Sequence, residues 1–411
     1  MSAAESRSRR RRGLARDGGQ TNETGRIGAL GSWRSSVWPF MLAALLSSLV
    51  PLSSGSGSHS MTASSLSAAE IPSALEIPSA AESPSENASD QAAAREAATG
   101  ETDAASCEGI TPAPQPIPTP TLGGSQFWGD VMLRRGWRIQ RHVFTGTCRL
   151  LDPLQRQHAT GSREQCLAVL NLPARLAEVP PMEGEVTILI HGILRGSGSL
   201  GRIGKRLDQA GLQPLRFDYP STQCTIEQAA DCLAEAIDSL DPAVTRVNFV
   251  VHSMGGLVVR AYGRHVAEQI AAGQTRSADR LGRLVMLGTP NHGAEMASHF
   301  KNFAPFEALF GPAGRQLAHN ETTIAELPRP PLEFACIAGI RGTAKGYNPF
   351  IPGDDDGTVT LESARLSGAS DFLAVRGMHT FLMYQTDVVD AVERYLRTGA
   401  LRADGTREPI E

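Results

Sequence analysis

The stretch VNFVVHSMGG, Val247 to Gly256, joins a run of β-branched and aromatic residues to a turn of small residues around Ser253. An apolar run without polar alternation marks a strand buried on both faces, the situation of a parallel sheet covered by helices. The residues after Gly255 predict a helix running towards Ile270. A strand-to-helix turn this tight strains the backbone of its central residue and lifts that side chain above the sheet. Its neighbours must be small because the turn brings backbone segments together. The corresponding pattern is G-x-S-x-G; Gly255 supplies the second glycine, and Val251 stands in place of the first.

Outward from this turn, β-branched runs alternate with helical periodicity. Val186–Ile190 (VTILI) is a second uninterrupted apolar strand, followed by Leu200, Ile203, Leu207 and Ala210 at helical spacing. Leu215–Tyr219 reads as a short strand. Thr225 with Gln228 fits a capping box ahead of the stripe Ile226, Ala229, Leu233, Ile237. Arg283–Leu287, Phe334–Ile340 and Phe372–Val375 supply later strands, and Asp387–Thr398 a terminal helix. Nearer the start, Trp137–Phe144 and Thr147–Leu151 predict two opening strands, with Trp128 and Trp137 as packing anchors. Strands alternating with helices imply an α/β fold with a mostly parallel central sheet flanked by helices.

The chemistry-bearing residues fall at strand ends. His191-Gly192-Ile193 closes one strand, where a backbone N–H can face a substrate oxygen; Asp356 and His379 follow two later strands. The order Ser, Asp, His is that of one nucleophilic triad arrangement and not of the two unrelated protease orders. Each residue has a plainer reading. Ser253 could simply cap its helix. Asp356 lies in an acidic run with Asp354 and Asp355, the composition of a solvated turn or a calcium ligand set. Asp218 is the other candidate acid, but it precedes the nucleophile. His191, His252 and His292 sit in backbone-shaping motifs, and His379 is the only histidine after Asp356.

Residues of about 183–398 resemble the lipase-like branch of the α/β-hydrolase family. The matching motifs are ILIHGIL (Ile188–Leu194), VVHSMGGLV (Val250–Val258), LGTPNHGAE (Leu287–Glu295), DDGTV (Asp355–Val359) and GMHTFLM (Gly377–Met383). The resemblance implies an α/β-hydrolase fold and a serine esterase or lipase, with no metal or organic cofactor in the chemical step. Ser253 would be the nucleophile, His379 the general base and then acid, and Asp356 the group that orients the imidazole. Backbone N–H groups of Ile193 and Met254 would bind the oxyanion. The same acyl-enzyme would also serve an acyltransferase, a thioesterase or a lipid deacylase, because the scaffold does not choose the acceptor. A non-catalytic binding module is the reading from a different class.

Composition divides the rest of the chain. The 411 residues carry 39 Lys+Arg against 43 Asp+Glu, a net −4 that argues against a dedicated nucleic-acid binder. Gly192 to Gly196 lacks the Gly-Lys-Ser/Thr ending of a phosphate-binding loop. Residues 1–36 hold eight arginines and three acids, net +5; 53–125 hold nine acids and one arginine, net −8; 126–411 carry −1. Val37–Leu52 is uncharged and mainly apolar but only 16 residues long, short of a full bilayer span. Residues 1–52 therefore predict a signal peptide or signal anchor, placing the catalytic domain outside the cytoplasm, secreted, periplasmic or membrane-tethered. The Ser/Ala/Glu/Pro-rich 53–125 reads as a disordered spacer, and 126–411 as one hydrolase domain. Asn87 and Asn320 each begin a glycosylation sequon.

Six cysteines with export permit disulfides: Cys148 with Cys166, or Cys224 with Cys232 if Cys224 lies off the helix. No Cys/His spacing suits zinc. The segment 296–331 interrupts the alternation with Phe300, Phe303, Phe306, Leu309 and Phe310, which predicts a lid or a packed cover over an acyl-binding site. The expected partner is a small-molecule or lipid ester.

Overall fold

The computed structural model describes residues 115–116, 125–294, 304–319 and 324–411. The expected targeting segment, most of the expected spacer, Cys107, both sequon asparagines, residue 295, and residues 296–303 and 320–323 of the expected cap lie outside the described residues. In the first part of the chain come β1 (Gln115–Pro116), β2 (Trp128–Arg134), β3 (Trp137–His142), β4 (Cys148–Leu151), β5 (Arg156–Gly161), α1 (Arg163–Leu170) and α2 (Pro173–Glu178). Next come β6 (Gly184–Ile190), α3 (Gly201–Gln209), β7 (Pro214–Phe217), α4 (Ile226–Asp238), β8 (Val244–His252) and α5 (Met254–Ala271). Last are β9 (Leu281–Leu287), α6 (Ala304–His319), β10 (Glu333–Ile340), β11 (Asp371–Arg376) and α7 (Thr386–Thr398).

Strands β6 to β11 form one six-stranded sheet in the order β11-β10-β9-β8-β6-β7, parallel at every pairing. The central strands are mainly apolar towards their C-terminal ends, where both faces are covered. Val186, Ile188, Val247, Phe249, Leu284 and Met286 point into one core with Leu233 and Ile237 of α4 and Leu257 and Val258 of α5. Leu189, Val250, Val285 and Ile337 point the other way, against Ile203 and Leu207 of α3 and Val388 and Val392 of α7. This is the expected mixed α/β architecture, with a parallel sheet between helical layers. The Thr225–Gln228 capping box opens α4 as the sequence predicts.

Where the sequence predicts two opening strands, the structure has a five-stranded antiparallel sheet, order β1-β5-β4-β3-β2. A third apolar cluster including Val131, Ile139, Leu150, Cys166 and Leu170 lies between this sheet and α1. Strands β2 and β5 escape the sequence pattern because Asp130 interrupts one and the other, RQHATG, lacks large apolar residues. Asp130 is nonetheless fully buried. Its backbone and side chain are both bonded to Asp218, which joins the antiparallel sheet to the C-terminal end of β7.

The disulfide expectation is overturned: Cys148, Cys166, Cys224, Cys232 and Cys336 are all free thiols. Cys148, Cys166 and Cys224 pack as small apolar groups in the cores. Burial pushes the thiols of Cys166, Cys224, Cys232 and Cys336 up to about 12.

Candidate active site

The candidate residues converge above the C-terminal ends of the parallel strands. Pairing of His252 with Leu287 ends the β8–β9 ladder, and the next N–H, that of Ser253, still donates to the Leu287 carbonyl at 2.8 Å. The chain then turns into α5 with Ser253 at φ 54° and ψ −127°. Positive φ is costly for a residue with a Cβ, on the order of 1–3 kcal/mol. The turn is tight enough that a Cβ on Gly255 would lie 2.8 Å from both the Ile190 and His191 carbonyl oxygens. Only glycine fits there, whereas Val251 at the first position of the pattern is accommodated in the core.

The geometry brings Ser253, His379 and Asp356 into one relay. His379 Nε2 is 2.9 Å from Ser253 Oγ, and His379 Nδ1 is 2.7 Å from Asp356 Oδ2. An ionised carboxylate only accepts, so Nδ1 carries the proton and Nε2 is left to accept from the serine hydroxyl. Asp356 is 1% exposed. Its Oδ1 accepts the N–H groups of Thr358 at 3.0 Å and Val359 at 2.8 Å, and its carbonyl accepts the His379 N–H at 2.8 Å. The carboxylate is thus held on both oxygens, and its own backbone helps place the imidazole. Ser253 is 8% exposed, reachable but largely enclosed.

The other acids of the run serve the loop. Asp354 accepts the Arg341, Gly342 and Asp355 N–H groups, and Asp355 Oδ1 accepts those of Tyr347, Asn348 and Gly357. No cluster of three or more His, Cys, Asp or Glu side chains that could hold a metal occurs among the described residues.

The two histidines flanking the turn are structural supports. His252 Nε2 is 3.1 Å from the His379 carbonyl oxygen, so it is the donor there. Burial, and then the proximity of His379, hold it well below the usual histidine range, which keeps it neutral. His191 stacks on Tyr219 with ring centroids 4.5 Å apart, and burial also lowers its basicity. Sequence reasoning assigned neither of these contacts, since each joins residues from distant parts of the chain.

Met254 directly follows the serine and opens α5, and Ile193 lies in the loop after β6, next to Gly192, where a Cβ would lie 2.9 Å from the Ser253 Cβ. Their N–H groups find no acceptor among the described residues. The Gly192–Ser197 loop, which carries Ile193, is heavily bonded. The Leu194 N–H donates to Ser221 Oγ at 3.1 Å, and the Ser197 N–H and hydroxyl donate to Asp218 at 2.6 and 2.8 Å. Asp218, the other candidate acid, therefore faces this loop and not His379. Burial would raise its carboxyl, but Arg138 and the loop donors outweigh that and bring it down to about 2.

The described part of the expected cap, α6, kinks at Gly311 and packs beside Ile193. Gln316 anchors it, accepting the Ile226 N–H at 2.8 Å and donating to Glu227 at 2.7 Å. Met378 and Phe381, 46% and 47% exposed, flank His379, and exposed Tyr347 and Phe350 lie on the loop that leads to Asp356. Two open clefts of 340 and 460 Å³ are lined by polar groups including Arg246, Arg280, Arg141 and Glu235, and none of the triad residues lines either.

A family described as a domain of unknown function (DUF7379) matches residues 154–306, a span that contains Ser253 and ends before Asp356 and His379. No curated protein matches. Among solved structures, the chain is similar to a Bacillus licheniformis lipase, BlEst2 in propeptide form, at 18% identity and TM-score 0.41, covering 56% of this chain and 52% of that one. It is also similar to the Legionella pneumophila phospholipase PlaB in complex with thio-NAD, at 14% identity and TM-score 0.40, over 55% and 59%. A malate-bound thermophilic esterase from Thermogutta terrifontis is 17% identical with TM-score 0.35, over 53% and 91%. The chain thus spans about half the length of the BlEst2 chain.

Proposed function

We propose that this chain is a serine esterase or lipase that cleaves carboxylic esters through an acyl-enzyme on Ser253. One observation carries this reading: the Ser253–His379–Asp356 relay at 2.9 and 2.7 Å, with the serine on a strained turn above a parallel sheet. A serine hydroxyl is too weak a nucleophile unaided, and the relay supplies the base in the tautomer it needs. Ser253 Oγ attacks the ester carbonyl carbon while His379 Nε2 takes its proton. The oxygen that gains charge faces the N–H groups of Met254 and Ile193. The imidazolium, stabilised by Asp356, then passes the proton to the departing alcohol. A water attacks the acyl-enzyme by the same route, and the free acid leaves. The exposed apolar residues around His379 and Asp356 support an ester with an apolar portion. The basic start of the chain and the apolar run 37–52 support a site of action outside the cytoplasm, free or tethered to a membrane.

The test is hydrolysis of p-nitrophenyl esters by the full chain and by Ser253→Ala, together with labelling by a fluorophosphonate. Wild-type turnover that falls by about three orders of magnitude or more in the variant is expected, with label found on Ser253. Turnover unchanged in Ser253→Ala would sink the proposal. Running the assay with an added alcohol reports whether the acyl group goes to water or to another acceptor.

A further inference from the structure

The loop Gly192–Ser197 carries the Ile193 N–H, yet little of what holds that loop in place comes from the strand before it. Two of the hydrogen-bond chains that leave it end in the segment that precedes the parallel sheet. The first runs from Ser197 to Asp218, and from Asp218 Oδ2 to Arg138 Nη1 of β3 at 2.5 Å. Asp130 of β2 closes this chain: its Oδ2 accepts the Asp218 N–H at 2.7 Å and lies 3.5 Å from the same guanidinium nitrogen. The second runs from the Leu194 N–H to Ser221 Oγ, whose hydroxyl donates to Gln126 Oε1 at 3.1 Å. Gln126 Nε2 returns to the loop at the Arg195 carbonyl, 3.4 Å away. Leu194 sits at φ 60°, a backbone that a non-glycine residue keeps only when its surroundings impose it.

We propose that the N-terminal antiparallel unit is a working part of the active site: Arg138 and Gln126, acting through Asp218 and Ser221, position the loop that presents the Ile193 N–H to the oxyanion. Neither residue touches substrate; both are positioning residues. This rests on the hydrolase reading above and adds to it a division of labour. The parallel sheet supplies nucleophile, base and acid, and the antiparallel sheet sets one arm of the oxyanion hole. An oxyanion donor works only if it is already aimed when charge develops, so loosening the loop slows the chemical step and leaves ground-state binding largely alone.

The experiment compares full-length wild type with Arg138→Met, Arg138→Lys, Gln126→Ala and the Arg138→Met/Gln126→Ala double variant. Competent sites are counted by the end point of fluorophosphonate labelling, and kcat and KM are measured per labelled site. We expect kcat per site to fall about 10- to 100-fold in Arg138→Met and Gln126→Ala, and further in the double variant, with KM within about twofold. Arg138→Lys recovers part of the loss, and amide exchange at Leu194 and Ser197 speeds up in the impaired variants. A purely structural role would lower the number of labelled sites and leave kcat per site untouched; that result overturns the proposal. If Arg138→Met fails to fold because it strands the buried Asp130 and the half-buried Asp218 carboxylates, Gln126→Ala, which strands no charge, decides the matter alone. A wild type without Ser253-dependent turnover or labelling overturns the hydrolase reading and this inference together, and is seen before any variant is compared.

Discussion

Ser253 combines two demands that oppose each other, a side chain with a hydroxyl and a backbone that suits glycine. The positive φ predicts that Ser253→Gly is more stable to urea than Ser253→Ala by about 1 kcal/mol, although both lack the hydroxyl. Equal midpoints would mean that the turn holds no strain. Gly192 shows the same crowding from the other side. A Cβ there would lie 2.9 Å from Ser253 Cβ and 3.0 Å from His252 Nδ1. Gly192→Ala is therefore expected to cut kcat at least about tenfold while far-ultraviolet circular dichroism stays unchanged. At this scale the three residues that meet in the relay were legible in the sequence as candidates. Each lies in a short motif whose spacing reflects a local backbone need: Ser253 beside Gly255, Asp356 before Gly357, His379 after a strand. Their supports were not legible. The bond from His252 to the His379 carbonyl spans 127 positions, and no local pattern encodes it.

The parallel strands and their helices follow closely from apolar periodicity because the central strands are covered on both faces and the helices turn an apolar stripe to the sheet. The insertion between β9 and β10 obeys a different constraint, set by Arg260 of α5. This arginine is 3% exposed. It donates to the carbonyls of Asn291, Ile324, Leu327 and Pro328, clamping the chain on both sides of α6. Burial lowers its guanidinium to about 10, so it remains charged at neutral pH. Removing it leaves four carbonyls without their donor in the interior. Arg260→Met is expected to destabilise the fold by about 3 kcal/mol in denaturant titrations. Proteolysis should then cut first within the 295–323 segment. An unchanged midpoint would show that water replaces the clamp at no cost. In sequence this arginine looks no different from the exposed Arg264 of the same helix; only the carbonyls it meets explain its burial.

Across the whole molecule, the seam between the two sheets is built on buried charge, and its stability depends on pH. Burial outweighs the attraction of Arg138 at Asp130 and raises its carboxyl to about 7, while one of its oxygens, Oδ1, is buried without a partner. A carboxyl in the unfolded chain loses its proton near pH 4. Between about 4 and 7 the folded protein therefore binds more protons at this site than the unfolded one, and its contribution to stability falls as pH rises. Asp218, lowered to about 2, acts in the opposite direction: its contribution is present above about pH 4 and is lost as pH falls towards 2. His191 and His252, kept neutral by burial, also cost stability as pH drops below 6.5. The difference between wild type and Asp130→Asn isolates the seam. The variant should gain in Tm relative to wild type progressively from pH 4 to pH 7. A pH-independent difference would mean that Asp130 stays ionised in the fold.

The parallel α/β core and the order of the candidate catalytic residues follow from the chain's local patterns. Both depend on neighbours in the chain: apolar runs where strands are buried on two faces, and small residues where a turn is tight. The folded chain decided that Asp218 binds the Gly192–Ser197 loop, that the five described cysteines stay unpaired, and that β2 joins a second sheet around a buried Asp130. A buried charge is tolerated only when its partners arrive. Here those partners, Arg138 and the Asp218 N–H, come from different sheets, and folding is what brings them together.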